Sequence, residues 1–270
     1  MKKVVLITGA SSGIGLATAK LLLEKGCVVY AAARRVERMA ELKTHGAKLL
    51  EMDVTDDASM VAGVGKILKD ENRIDVLINN AGYGSFGALE DVPISEAKNQ
   101  FEVNIFGLAR LTQLVLPYMR KQHAGKIINV SSMGGKFGEP LGSWYHATKF
   151  AVEGLSDSLR MEVKQFGIDV VIIEPGAILT EWGNIASEHL LKVSGNSAYK
   201  NLAHRHARML ESAYKNASDP MVIAKEIGKA VESANPKTRY VAGANAKLLL
   251  FLKRALSDKM FDKLFLSQLK

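Results

Sequence analysis

The chain has 270 residues, 47% of them hydrophobic and 24% charged, which is enough to bury a large core and excludes a disordered or membrane-embedded polypeptide. Its single cysteine, Cys27, excludes an internal disulfide and a cysteine-ligated metal, and suits a reducing, cytoplasmic setting. The formal charge of +8 comes without a basic run interleaved with aromatics, so a solvated basic surface is expected and no nucleic-acid module.

The first apolar run, in MKKVVLITGASSG, stops at Thr8-Gly9, too short for a secretory segment, and reads as a strand from Lys3 to Thr8. TGASSGIG (8–15) follows and opens a helical pattern over 13–25. Glycines 9, 13 and 15 let the backbone turn tightly and approach a ligand, and the helix amino end offers free N–H groups to a pyrophosphate. The spacing is GxxxGxG rather than GxGxxG, so taken alone it is weak.

The second strand, Cys27 to Ala33, places Cys27 at a buried structural position and runs into Arg34 and Arg35. A carboxylate at this place accepts the ribose hydroxyls of NAD(H). Two guanidinium groups instead suit the 2′-phosphate of NADP(H), against the plain alternative that they open a solvated loop. A helix over 36–46 and a strand over 48–52 lead to Asp53 in EMDVTD, which either accepts from an adenine amino group or caps the next helix, a task for which Thr55 or Asp56 is better placed.

Next come a helix over 56–71, a strand over 74–79 ending in NNAG (79–82), and a helix over 95–121 that carries Asn104. A strand over 125–131 reaches Ser132 in NVSSMGG, and a helix over 143–166 carries YHATK (145–149). Helical spacing sets Tyr145 and Lys149 in one row facing a cleft, and an apolar row of Ala147, Ala151, Leu155 and Leu159 that should bury the helix. A strand over 168–173 precedes PGAILT (175–180), and after a stretch at 182–216 a helix over 220–234 and a strand over 238–241 complete the alternation. Short apolar runs alternating with amphipathic helices predict a doubly wound parallel α/β sheet of seven strands in one domain, 1–270, with 182–216 as a substrate-loop insertion and 244–270 as a helical tail.

The motifs TGASSGIG, NNAG, Asn104, Ser132, Tyr145 with Lys149, and PGAILT stand in order over roughly 3–180, and in this the chain strongly resembles the short-chain dehydrogenase/reductase family. The resemblance implies a Rossmann-type sheet of order 3-2-1-4-5-6-7 with helices on both faces. It implies Tyr145 as proton donor or acceptor, Lys149 beside it, Ser132 steadying the substrate oxygen and Asn104 holding a relay water. It also implies NNAG on the adenosine side and Thr180 on the nicotinamide carboxamide. With the arginines and Asp53, the expected cofactor contacts are Gly9, Ser11, Ser12, Gly13, Ile14, Gly15, Arg34, Arg35, Asp53, Val54, Asn80, Ala81, Gly82, Tyr145, Lys149, Pro175, Gly176, Ile178 and Thr180. Many NADP(H)-dependent members carry a basic residue where this chain has Ser12, so Arg34 and Arg35 must carry that preference alone.

The expected activity is an NADP(H)-dependent interconversion of a carbonyl and an alcohol, with a non-catalytic cofactor-binding sensor as the alternative. A phenol titrates near 10, and Lys149 is expected to lower that value. Met133, Phe137, Leu141, Trp144 and Trp182 are expected to wall an apolar substrate, and SSMGGKFG is similar to the hydroxysteroid branch of the family. His204, His206 and Glu188-His189 lack the spacing of a metal site, and none is expected. The tail, basic around an apolar stripe, reads as a helix packed on the domain or on another subunit of a homodimer or homotetramer, or as a membrane-surface contact.

Overall fold

The computed structural model describes residues 2–269. Its first half runs β1 (Val4–Thr8), α1 (Gly13–Glu24), β2 (Val28–Ala33), α2 (Ala40–Thr44), β3 (Lys48–Glu51), α3 (Asp57–Glu71), β4 (Val76–Asn79), α4 (Ile94–Phe101), α5 (Leu108–Gln122) and β5 (Gly125–Val130). The second half runs α6 (Ser143–Val163), β6 (Ile168–Pro175), α7 (Glu181–Ser194), α8 (Lys200–Lys215), α9 (Pro220–Glu232), β7 (Arg239–Ala242), α10 (Ala246–Ala255) and α11 (Asp258–Ser267).

The seven strands form one sheet of order β3-β2-β1-β4-β5-β6-β7, every pair parallel, as the alternation and the resemblance predict. Strands such as VVLIT are buried at every position because the sheet is covered on both faces. Successive side chains alternate, so Val5 and Ile7 meet Ala19 and Leu22 of α1 and Ile223 and Ile227 of α9. Val4 and Leu6 face the other way, toward Met60, Val64 and Ile67 of α3, Leu111 and Val115 of α5, and Leu159 of α6. The order reverses between β1 and β4, and the crevice beyond their carboxyl ends is the natural ligand site of such a sheet.

Several predicted elements change character. The 36–46 helix is a 3₁₀ turn, Val36–Met39, followed by the short α2, and Cys27 sits just ahead of β2, only partly buried, although burial still pushes its thiol up. The 95–121 helix contains a π segment, Glu102–Gly107, between α4 and α5. The 182–216 stretch is two helices, α7 and α8, rather than a loop. The tail folds back as α10 and α11, with Phe261 of α11 buried and its ring 5.3 Å from that of Phe137. The tail also leaves Leu248, Phe251, Met260 and Leu266 exposed.

Helix α6 meets the expected burial only in part. Tyr145 and Lys149 face the cleft and Leu159 is buried, as expected, but the row of Tyr145, Lys149, Val152 and Ser156 is also buried, whereas Ala147 is exposed and Ala151 and Leu155 are only half-buried. The polar row packs inward because it closes the carboxyl end of the sheet: Ser156 accepts from Asn129 of β5 at 2.9 Å, and Lys149 donates to Val130 O of the same strand at 3.0 Å.

Candidate active site

A cleft of about 1320 Å³ opens at the reversal, and every predicted site residue except Gly15 and Asn104 lines it. On its β1 side, Gly9 has φ +66, and a Cβ there would meet Asn80 Nδ2 at 2.8 Å; a Cβ on Gly15 would meet the Gly9 carbonyl at 2.2 Å. These two positions therefore need glycine for backbone packing as much as for ligand approach. The Thr8 hydroxyl accepts from the amides of Asn80 and Ala81 at 3.1 and 3.0 Å, and Asn80 Nδ2 donates to Thr8 O at 2.9 Å, so the ends of β1 and β4 are tied into one rim. Ser12 begins α1 without a side-chain cap, which leaves the first amides of the helix facing the cleft. Such a rim fits a pyrophosphate.

At the end of β2, Arg34 and Arg35 are exposed on the cleft wall. Arg38 instead forms a two-pronged pair with Glu181 at the start of α7, at 2.5 and 3.1 Å, across the mouth. Asp53 also lines the cleft; its Oδ1 accepts from the Thr55 amide and hydroxyl at 2.9 and 2.8 Å, while Asp56 is the residue that caps α3. Thr180 caps α7 by accepting from the Trp182 amide at 3.3 Å. The residues present fit a nicotinamide dinucleotide: glycine rim, uncapped helix end, paired guanidinium groups and a carboxylate for the adenine edge.

Ser132, Tyr145 and Lys149 line the same cleft, Tyr145 and Lys149 as buried side chains. Ser132 Oγ accepts from the Gly134 amide at 3.0 Å, which fixes the oxygen and leaves its proton to donate. Lys149 Nζ lies 6.0 Å from the centre of the Tyr145 ring and donates to Val130 O. Burial pushes the phenol up to about 12, with Ser132 pulling it down and the charge on Glu139 pushing it up. Burial pushes the Lys149 ammonium down to about 8, and Glu153 opposes that fall. The expected lowering of Tyr145 by Lys149 is therefore not the state of the protein alone, because desolvation outweighs a charge at this separation.

Asn104 stands in the π segment, buried just behind the cleft. Its Oδ1 accepts from Tyr83 N at 3.1 Å, and its Nδ2 donates to Tyr83 O at 2.9 Å and Thr148 Oγ1 at 3.1 Å. That side chain braces the loop after β4 against α6, and its polar atoms are engaged with protein rather than turned to the cleft.

The substrate wall is only partly as expected. Met133, Phe137 and Trp182 line the cleft, whereas Leu141 packs beside Phe86 in the core and Trp144 turns away to meet Phe101 edge-on at 6.4 Å. The aromatic wall is built from Tyr145, Trp182 and Tyr214, backed by Phe86, with ring centres 5.1 Å apart for Tyr145–Trp182 and 5.5 Å for Phe86–Tyr145. Leu248, Leu249 and Leu252 of α10, and Leu264 and Phe265 of α11, extend it toward the mouth.

Two ionic features went unread in the sequence. Under the Ser132 turn, Lys136 pairs with Glu153 at 2.6 Å, and Arg239 reaches Glu153, Glu174 and Asp157 at 3.1, 3.1 and 2.7 Å. The signal was a glutamate inside the buried strand run VVIIEP. In the cleft itself, Glu139 faces His146 and His206 at 3.6 and 3.9 Å, and the signal was a lone acid in the otherwise apolar FGEPLG.

Comparisons with known proteins agree with this geometry. A family model described as short chain dehydrogenase matches residues 3–190. The chain is 38% identical over 263 residues to a 3-ketodihydrosphingosine reductase of Bacteroides thetaiotaomicron, covering 96% of this chain and 95% of that protein. It is 32% identical over 280 residues to an NADPH-dependent 3-dehydrocapnine reductase of Ornithobacterium rhinotracheale, covering 98% and 96%. Among solved structures, a short-chain dehydrogenase from Streptomyces avermitilis matches with a TM-score of 0.82 at 34% identity, over 93% of this chain and 91% of that one.

Proposed function

The chain belongs to the short-chain dehydrogenase/reductase family of NAD(P)-dependent oxidoreductases, and from that premise we propose that it is an NADPH-preferring reductase that converts an apolar, long-chain ketone to a secondary alcohol. The observation that supports the reading is that one cleft is lined by the glycine rim, by Tyr145, Ser132 and Lys149, and by Trp182, Tyr214 and the tail leucines. The names of the Bacteroides and Ornithobacterium relatives support a keto-lipid over the steroid expected from SSMGGKFG. No feature of the site favours the non-catalytic sensor, since the Ser, Tyr and Lys set is intact and convergent.

The bound nicotinamide supplies the hydride. The chain's part is to hold the carbonyl oxygen and give it a proton. Ser132, whose oxygen is fixed by the Gly134 amide, donates a hydrogen bond to that oxygen and stabilises the charge that grows on it. Tyr145, fully protonated at neutral pH because burial raises it, passes its phenolic proton to the same oxygen. Lys149, still largely charged at pH 7, stabilises the phenolate left behind. Arg34 and Arg35, exposed on the cleft wall, would hold the 2′-phosphate.

The test is NADPH oxidation with medium- and long-chain ketones by wild type and Tyr145→Phe. Turnover should fall by about 10²–10⁴-fold in the variant, while NADPH binding, followed by cofactor fluorescence, persists. Unchanged turnover removes Tyr145 as the donor.

A further inference from the structure

We propose that Glu153 is a positioning residue of the reduction: its carboxylate pins the turn that carries Ser132 to the helix that carries Tyr145 and Lys149, so that serine and phenol address one carbonyl oxygen. The inference rests on the ketone-reductase reading above and deepens it.

Glu153 stands on α6 one turn after Lys149 and two turns after Tyr145, about 12 Å along the helix axis from the latter, and it does not line the cleft. Its side chain is 6% exposed, and one oxygen, Oε2, meets two cations, Lys136 Nζ at 2.6 Å and Arg239 Nη2 at 3.1 Å. Lys136 closes the 3₁₀ turn Met133–Gly135 that Ser132 opens, and Arg239 begins β7. The same two cations reach Glu174 Oε1 at 3.7 and 3.1 Å, and Glu174 is followed by Pro175 and Gly176, which line the cleft. One ionic cluster, itself outside the cleft, thus cross-links the Ser132 turn, α6 and the end of β6, each of which delivers residues to the site.

The turn lies close on α6: a Cβ on Gly135 would meet Glu153 Cγ and Lys149 O at 3.0 Å each and Ser131 Oγ at 2.8 Å. Such packing sets how near the turn comes, but it does not stop the turn sliding along the helix. The Lys136–Glu153 pair supplies that restraint, because a short charge-assisted bond favours one distance and one direction. Stability is a weak reason for burying these charges, since apolar side chains of similar volume commonly hold a core as well or better. Displacing Ser132 from Tyr145 by about 1 Å, by contrast, costs up to about 100-fold in rate. The negative charge of Glu153 also opposes the burial that drives the Lys149 ammonium down.

The experiment loads the enzyme with one equivalent of NADPH, mixes it with saturating dodecan-3-one and follows the decay of NADPH absorbance by stopped flow. A first-order rate constant does not depend on the fraction of protein that is folded, which enters the amplitude alone, so a merely structural role leaves the rate constant unmoved. Glu153→Gln and Lys136→Met should each lower it by about 10–100-fold, with the Kd for NADPH changed by less than about threefold. Lys136→Arg, which keeps a cation within reach of Glu153, should retain about a third or more of the wild-type rate constant. The Lys136 variants decide the matter where Glu153→Gln does not fold. An unchanged rate constant in Glu153→Gln or Lys136→Met, equal slowing by Lys136→Met and Lys136→Arg, or a loss of NADPH affinity as large as the loss of rate overturns the positioning role and leaves the ketone-reductase reading standing. No decay of NADPH with the wild type overturns both.

Discussion

Burial drives the two titrating groups of the site apart, the phenol of Tyr145 up to about 12 and the ammonium of Lys149 down to about 8. For Lys149, a folded value below the ordinary 10.5 means that the folded chain binds fewer protons between about 8 and 10.5, so stability rises with pH across that window and the full penalty applies below it. The penalty is about 3 kcal/mol. Lys149→Met should therefore abolish turnover, raise the urea midpoint at pH 7, and flatten the rise of stability between pH 8 and 10.5. Arg34→Ser with Arg35→Ser should raise KM for NADPH by roughly 10–100-fold and leave KM for NADH nearly unchanged, since each guanidinium donates charge-assisted bonds to the phosphate. The grouping of Ser132, Tyr145 and Lys149 was legible through the family resemblance of the motifs that carry them, helical spacing adding only that Tyr145 and Lys149 share a row. The direction in which Tyr145 titrates was not, because desolvation depends on Phe86, Trp182 and α8, which lie far from YHATK in the chain.

The π segment shows the same limit for an element. A 3.6-residue pattern runs unbroken through 95–121, and nothing in it marks the widened turn at Glu102–Gly107 that turns Asn104 toward Tyr83 and brings Gly107 against β3's following loop. A Cβ on Gly107 would stand 2.3 Å from Val54 O, so Gly107→Ala should cost about 1–3 kcal/mol in urea unfolding and shift the Asp53–Val54 wall of the cofactor groove. The ionic cluster under Ser132 ties α6, β6 and β7 together. Arg239→Met leaves Glu153 and Glu174 to Lys136 alone and should cost about 1–3 kcal/mol, read by urea unfolding at pH 7. Raising Glu174 through burial first and the charge of Glu153 second, the fold keeps both acids only because Lys136 and Arg239 answer them.

At the scale of the whole molecule, the parallel sheet with two covered faces followed from alternation, because buried parallel strands are written as apolar runs and their crossovers have one hand, whereas the strand order came from the family resemblance. The course of the tail did not follow, since an amphipathic stripe states that a helix is covered without stating by what. It lies over the cleft, and removing 246–270 should lower kcat/KM for dodecan-3-one at least tenfold more than for pentan-3-one, because only the longer chain reaches Leu249 and Leu252. The rim itself joins Thr8 to Asn80, residues that meet only when β1 has paired with β4, three crossovers later in the chain. A partly folded chain has no such rim, so the dinucleotide binds the finished sheet and shifts the folding balance by mass action, about 2.7 kcal/mol at a hundredfold excess over Kd. Resistance to proteolysis is therefore expected to depend on the free dinucleotide: cleavage of the chain in a timed digest should slow as NADP(H) is added and quicken again when it is removed.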